Sequence, residues 1–221
     1  MERRNRFTRF VMGSVFFLSL SVVVASAMAG DWAELNKMDP SALSAKIVEL
    51  KRQLKQTPDD YETMKGLGIA YHLLARQDAK KYTQEAVDLL SKVYEMNPKD
   101  YITLCYLGSS TTMLAKTTIN PLKKGSYANK GIGLMDKAIR KDPDNISVRL
   151  ARAYNSMSLP SFMKRGNIAV EDFEYLAKMI EASPEAYGDL KKEVYGNLTR
   201  LYEKNGKPSE ARKYAQLLEA K

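Results

Sequence analysis

Apolar residues recur along most of the chain at spacings of three and four, with polar and charged residues between them. A clear early example consists of Leu43, Ile47, Leu50 and Leu54. It follows Asp39-Pro40, a capping residue and a proline suited to the first turn of a helix. Such spacing predicts amphipathic helices, and no segment sustains the period-two alternation of a strand. The pattern therefore indicates an all-α protein.

The helical pattern repeats in pairs, and the last pair is the most regular. Its large and small apolar residues are Tyr195, Leu198, Tyr202, Ala211, Ala215 and Leu218. Between them, Gly206 is suited to ending one helix and Pro208 to starting the next. Small residues allow two helices to approach closely, while large residues fill the groove between them. This predicts two packed antiparallel helices joined by a short turn.

Three earlier copies have the same organisation but longer connections. They close at Asn97-Pro98, Asp142-Pro143 and Ser183-Pro184. The sequence predicts long loops at 77–82 and 116–130, where a regular copy would have a tight turn, and a helix break at Leu159-Pro160. Loops that depart from a repeat often bind partners. For 116–130 the alternative is that Ile119, Leu122 and Tyr127 extend the flanking helices.

The spacing of these residues resembles that of the tetratricopeptide-repeat (TPR) family over about Asp39 to Ala220. The chain also resembles an exported bacterial type with stretched repeats, which implies nothing about activity. The residues that carry this second resemblance are Lys130 to Ala138, Asp142-Pro143-Asp144-Asn145, Arg149, Arg152-Ala153, Leu159-Pro160 and Asp172-Phe173. The resemblance implies an α-solenoid of antiparallel helix pairs.

We therefore predict the following organisation: a signal peptide over 1–29, a capping helix over 30–58 and a repeat domain over 59–221, with helix pairs at 59–98, 99–143, 144–184 and 185–221. The capping helix would close the stack with a polar outer surface.

The first 29 residues have the three parts of a targeting segment. Four arginines between Arg3 and Arg9 precede the apolar run Val11 to Val24, which ends in small residues around Ala27. This predicts export, cleavage, and a periplasmic or secreted protein. The alternative is an uncleaved inner-membrane anchor over Phe10 to Ala29, the one case in which we expect membrane contact.

The net charge of +9 would fall to +6 on cleavage, because residues 1–29 carry four arginines and one glutamate. This charge fits an acidic protein, an anionic polymer or lipid headgroups as the partner, or simple solubility. The basic doublets lack interleaved aromatic residues for stacking on bases, so we expect no nucleic-acid partner. The single cysteine, Cys105, lies among apolar residues and is expected to be buried.

Candidate chemistry is sparse. One histidine, His72, and one cysteine do not provide the ligands of a nitrogen and sulfur metal site, and no nucleophile motif accompanies His72. Gly131-Ile132-Gly133 lacks the third glycine of a dinucleotide loop, so we expect these glycines to allow close helix packing. We predict no catalytic centre, no metal and no cofactor.

In TPR proteins the leading helix of each pair lines a concave surface, which suits an extended or helical peptide. The TPR register places on this surface Lys65, Ile69, His72, Ile102, Ser109, Thr112, Met113, Leu150, Tyr154, Met157 and Arg200. The set is mostly apolar, so we expect an apolar guest. A lysine and asparagine clamp for a terminal carboxylate is absent, since Ile69 occupies its asparagine position.

These features predict an exported adaptor or scaffold that binds a protein or peptide through its concave face, in cell-envelope assembly or secretion. The alternative is a transporter accessory that binds a small solute or lipid among the same helices. An enzyme is the least favoured class.

Overall fold

A computed structural model describes residues 31–219, and the predicted signal peptide at 1–29 lies outside them. The described residues form helices joined by short connections, without a strand. The α-helices are α1 Asp31–Lys37, α2 Pro40–Gln56, α3 Tyr61–Ala75, α4 Ala79–Met96, α5 Tyr101–Met113, α6 Pro121–Lys141, α7 Ile146–Ser158, α8 Gly166–Ala182, α9 Pro184–Tyr187, α10 Lys191–Lys204 and α11 Pro208–Glu219. Short 3₁₀ turns lie at Leu114–Lys116, Ser161–Met163 and Gly188–Leu190.

Four helix pairs form the body of the molecule: α3 with α4, α5 with α6, α7 with α8, and α10 with α11. The predicted all-α stack of helix pairs is confirmed. None of the helices within residues 31–219 is both long and apolar enough to cross a bilayer.

Helix starts follow the capping signals in the sequence. The Asp39 carboxylate accepts hydrogen bonds from the backbone N–H groups of Ser41 and Ala42, and α2 begins at Pro40 as predicted. Gly206 has φ of 68°, the left-handed conformation that favours glycine, before α11 begins at Pro208. The segment predicted as one capping helix contains two helices, because α1 precedes α2.

The predicted long loop at 77–82 is wrong. Helix α3 ends at Ala75 and α4 begins at Ala79, so three residues connect them and residues 79–82 belong to α4. The Asp78 side chain accepts a hydrogen bond from Lys81 N and caps α4. The residues that this copy has in excess of a regular repeat therefore lengthen its helices and not the turn between them.

The predicted loop at 116–130 is also much shorter than expected. Asn120 caps α6 by accepting hydrogen bonds from the N–H groups of Leu122 and Lys123, and Pro121 takes the first helical position. Only residues 117–120 lie between the preceding 3₁₀ turn and this helix. The alternative of extended helices was therefore correct for Leu122 and Tyr127, which lie in α6, and wrong for Ile119, which lies in the connection.

Close approach between α5 and α6 depends on two glycines. A Cβ added at Gly131 would lie 2.4 Å from the carbonyl oxygen of Gly108, whereas one added at Gly133 would meet no heavy atom within 4 Å. The prediction of close packing is therefore confirmed for Gly131 and wrong for Gly133.

A buried ion cluster joins α6, α7 and α8. The fully buried Asp172 carboxylate accepts hydrogen bonds from Arg152 Nε (2.7 Å) and Nη2 (2.7 Å) and from Arg149 Nη1 (2.9 Å). Asp136 accepts two hydrogen bonds from Arg165, at 2.7 and 3.1 Å. These residues include Arg149, Arg152 and Asp172 of the stretched-repeat pattern, so that pattern has a structural role here.

Burial by itself disfavours the charge of Arg152, but Asp172, Asp136 and Glu171 outweigh burial and raise its pKa above the ordinary value. All members of the ion cluster therefore have opposite charges beside them.

Candidate functional site

Two leading helices, α3 and α5, are buried on every side. Every residue from Met64 to Ala75 and from Thr103 to Met113 is buried. An amphipathic helix at the surface would leave one side exposed to solvent. The concave side of these helices is therefore covered by other parts of the chain.

We use the term inner face for the set of residues that the register assigns to the concave surface. Buried members are Lys65, Ile69, His72, Ser109, Thr112 and Met113. Half-buried members are Ile102, Leu150, Tyr154 and Met157, and Arg200 is exposed. The expected open groove is thus not present in this conformation, although whether these residues bind a partner stays a prediction.

Helix α1 covers the first part of the inner face. Leu35 is 2% exposed and belongs to the same apolar cluster as Leu67 of α3 and Tyr106 of α5. The Asn36 side-chain amide donates a hydrogen bond to the Tyr106 hydroxyl at 3.0 Å. This short helix thus shares one apolar cluster with Ile69 of the inner face.

The other end of the inner face closes around Tyr154. Its hydroxyl donates a hydrogen bond to Glu193 at 2.6 Å and accepts one from Asn197 at 3.0 Å, both on α10. The Arg76 guanidinium, after the end of α3, lies 5.9 Å from the centre of the Tyr154 ring. Burial raises the pKa of Tyr154, and the bond to Glu193 raises it further.

Sequence analysis identified Tyr154 but not its partners. Arg76, Glu193 and Asn197 meet here because the stack curves tightly enough to bring the first, third and fourth helix pairs together. Each of these three residues lies dozens of positions from Tyr154 in the sequence. Local patterns span only a few residues, so they could not have identified these partners.

A polar contact links α5 and α7 beneath the inner face. The Asn155 amide donates to Thr112 Oγ1 at 2.6 Å and to Ser109 Oγ at 3.1 Å. Ser109 and Thr112, predicted to contact a guest, therefore contact the neighbouring repeat.

His72 is enclosed rather than available for proton transfer. Its Nδ1 lies 2.9 Å from Ser110 Oγ, and its ring packs edge-on against Tyr106. Burial, with a contribution from nearby Arg76, lowers the pKa of His72 to about 3. The ring is thus neutral near pH 7, and its serine partner is fully buried. This serine and histidine pair is a packing contact.

Lys65 is used in the junction between α3 and α5. Its Nζ lies 2.6 Å from an Asp100 carboxylate oxygen, and both side chains are buried. Asp100 also accepts hydrogen bonds from Tyr61 and from Thr103, the latter as a helix cap. Burial opposes the charge of Asp100, but Lys65 and these donors outweigh it and lower its pKa. Lys65 is thus placed to hold two repeats together.

Other candidate chemistry is structural as well. Cys105 is buried as predicted, and burial raises the pKa of its thiol. Within residues 31–219, no three His, Cys, Asp or Glu side chains are grouped so as to hold a metal ion. An open surface pocket is lined by Gly188, Asp189, Lys191, Lys192 and Leu218.

Comparison with known proteins supports the fold. No family model matches the chain, and no curated protein does. Among solved structures, it is similar to TTC0263, a thermophilic TPR protein of Thermus thermophilus, with 18% identity and a TM-score of 0.60. That similarity covers 90% of this chain and 88% of the other.

Two further structures are more distantly similar. They are MamA (19% identity, TM-score 0.48, 87% of this chain and 88% of that one) and a human IFIT1 dimer with PPP-AAAA (16%, 0.38, 89% and 50%). Similarity at these levels says nothing about a ligand of the present chain. The similarity to TTC0263 shows that the protein has a TPR-like fold, as its sequence resemblance predicted.

Proposed function

We propose that this protein is an exported, non-enzymatic scaffold that holds a segment of another protein against its inner face, in the position that α1 occupies. The observation that carries the proposal is the placement of α1. A helix of seven residues, two residues away from α2, inserts Leu35 into the core and bonds Asn36 to Tyr106. Export is supported by the composition of residues 1–29, with cleavage and anchoring as alternatives.

The partner should resemble α1 chemically. A short helix could replace α1 if it offered a branched apolar side chain followed directly by a side chain that bonds a phenol, as Leu35 and Asn36 do. Helical peptides bind repeat proteins and other grooved surfaces through such apolar anchors. Tyr106 would then keep a hydrogen bond in both the closed and the partner-bound forms, which lowers the cost of exchange.

The proposal can be tested with a labelled peptide of residues 31–39. We expect this peptide to bind the variant Leu35→Ala/Asn36→Ala, in which α1 is weakly held, and to bind wild type much more weakly because α1 competes. Glu34→Ala is the matched control, since Glu34 is exposed and, among the described residues, its bond is to Lys37 on the same helix. Fluorescence anisotropy gives the dissociation constants. Equal peptide binding by all three proteins would contradict the proposal.

A natural partner from the envelope should then compete with the peptide. Adding Tyr106→Phe to the double variant removes the phenol hydrogen bond and should weaken peptide binding by about two- to tenfold. The solute-binding alternative predicts instead that a metabolite or lipid raises the melting temperature. In the structure, the leading helices are packed by side chains, and the described pocket lies at the surface.

A further inference from the structure

Helices α5 and α7 lie side by side and run in the same direction. Cys105 Sγ lies 3.5 Å from the carbonyl oxygen of Val148, and Thr112 is hydrogen-bonded to Asn155 further along both helices. The segments that follow their C-terminal ends therefore leave the stack at the same edge. We call residues 117–126 and 159–165 together the connector edge.

Three large apolar side chains protrude from the connector edge. Ile119 is 96% exposed, Leu122 85% and Phe162 80%. The residues at 121–126, the first turns of α6, are all exposed, so this helix end projects beyond the packed bundle. Isolated apolar side chains are common on surfaces, but this edge carries three of the most exposed ones within residues 34–219.

Charge on the connector edge has one sign. No aspartate or glutamate occurs between Tyr101 and Met135 or between Asn145 and Val170. Lys123, Lys124 and Lys164 are exposed beside the apolar side chains. Two of these lysines lie in the first turn of α6, where the helix dipole disfavours positive charge. A negatively charged surface would relieve this unfavourable arrangement.

We propose that the connector edge docks on the surface of an anionic lipid bilayer. Ile119, Leu122 and Phe162 would enter the boundary between headgroups and acyl chains, while the lysines pair with lipid phosphates. The exposed apolar side chains come from two separate segments of the chain, whereas a protein partner would require a surface that matches both. A bilayer accepts each side chain separately. This inference goes beyond the proposed function, because it orients the scaffold and does not involve the inner face.

Lys164 has further local support for this role. It has φ of 54°, the one positive value at a non-glycine residue in the described part of the chain. It follows directly after the 3₁₀ turn that presents Phe162. In this conformation the Lys164 backbone N–H donates a hydrogen bond to Ser161 O (2.9 Å) and closes the turn, and the Lys164 side chain is exposed at the connector edge.

The test uses the full chain as it is purified from the cells that express it. This protein is mixed with two sets of lipid vesicles. One set contains equal parts of phosphatidylglycerol and phosphatidylcholine, and the other contains phosphatidylcholine alone. We expect the wild-type protein to float with the anionic vesicles, and the bound fraction to decrease as the salt concentration rises. Each lysine near an anionic surface contributes roughly fivefold. Lys123→Glu/Lys124→Glu should therefore weaken binding by at least about 25-fold, and Leu122→Ser/Phe162→Ser by at least about tenfold.

Matched controls are Val48→Ser and Lys55→Glu on α2, where Val48 is 70% exposed. Equal binding by the edge and control variants would overturn the proposal. Retention of a membrane-anchoring leader could mask differences in flotation, so a second measurement is needed. A dye attached at Leu122→Cys should be quenched by lipid-borne quenchers, and one at Lys55→Cys should not; Cys105 is buried and stays unlabelled.

Equal quenching at both dye positions would also overturn the proposal. If the wild-type protein binds neither set of vesicles and the edge variants lose binding to a protein partner, the connector edge is a protein contact instead.

Discussion

At the scale of single residues, charge satisfaction explains why polar side chains can be buried in this stack. Asp172 and Arg152 are both enclosed, and each is surrounded by opposite charge. A buried ion pair adds little compared with an apolar pair, but removing one partner leaves an uncompensated charge. Position 172 should therefore be far less tolerant than its neighbour in sequence.

The variant Asp172→Asn should lower the free energy of unfolding by about 3–5 kcal/mol, because two buried arginines lose their counter-charge. Glu171→Gln should change it by less than about 1 kcal/mol, since the Glu171 side chain is 62% exposed and lies 3.4 Å from Arg152. Urea unfolding followed by circular dichroism measures both. Similar losses in the two variants would mean that the ion cluster does not stabilise the third repeat.

At the scale of helices, lengths and capping decide where residues 116–130 lie. Asn120-Pro121 has the same arrangement as Asp39-Pro40, an N-cap side chain followed by proline at the first helical position. Both pairs start helices. The Thr, Gly and Ser content of the segment favours a loop, and the sequence left both a loop and extended helices open. Local hydrogen bonds to Asn120 outweighed that composition.

Contact between α5 and α6 provides a second prediction. Gly131→Ala should lower the free energy of unfolding by about 1–3 kcal/mol, because its Cβ would collide with the backbone of α5 at Gly108 and Thr112. Gly133→Ala, in the same helix but facing open space, should raise it by about 0.5–1 kcal/mol through helix propensity. Thermal or urea unfolding distinguishes them, and a shared direction of change would refute the packing role of Gly131.

At the scale of the whole molecule, closure of the inner face makes stability depend on pH. His72 has a pKa of about 3 in the folded protein, below the ordinary value of 6.5. The unfolded chain therefore binds a proton in the interval between these values, and the folded protein does not. Stability contributed by the neutral ring is present above about pH 6.5 and is lost as the pH falls.

Between pH 7 and pH 5, the free energy of unfolding should fall by about 2 kcal/mol from this residue alone. His72 is the only histidine, so His72→Gln should remove most of the slope in this interval, whatever its effect at pH 7. Urea unfolding at several pH values measures the slope. Imidazole NMR signals that titrate near pH 6.5 in the folded protein would show that the inner face is open to water.

Periodicity and capping residues predicted the helix pairs, because both act over a few residues. The resemblance to the TPR family predicted the TPR-like fold, and α1 was not recognised as a separate helix. The TPR register also identified the inner-face residues as a mostly apolar set. The absence of charge in α5, from Tyr101 to Met113, was a signal that this helix is central. The same lack of charge also fits an apolar binding surface, which is what the sequence predicted.

Only the tertiary structure decided whether that surface is open. Burial of α3 and α5 depends on α1 lying across them and on Arg76, Tyr154 and Glu193 meeting from three separate helix pairs. These contacts follow from the curvature of the stack, which sums small rotations between repeats. A local pattern specifies each helix and its neighbour but not that accumulated rotation, so closure of the inner face could not be predicted from the sequence.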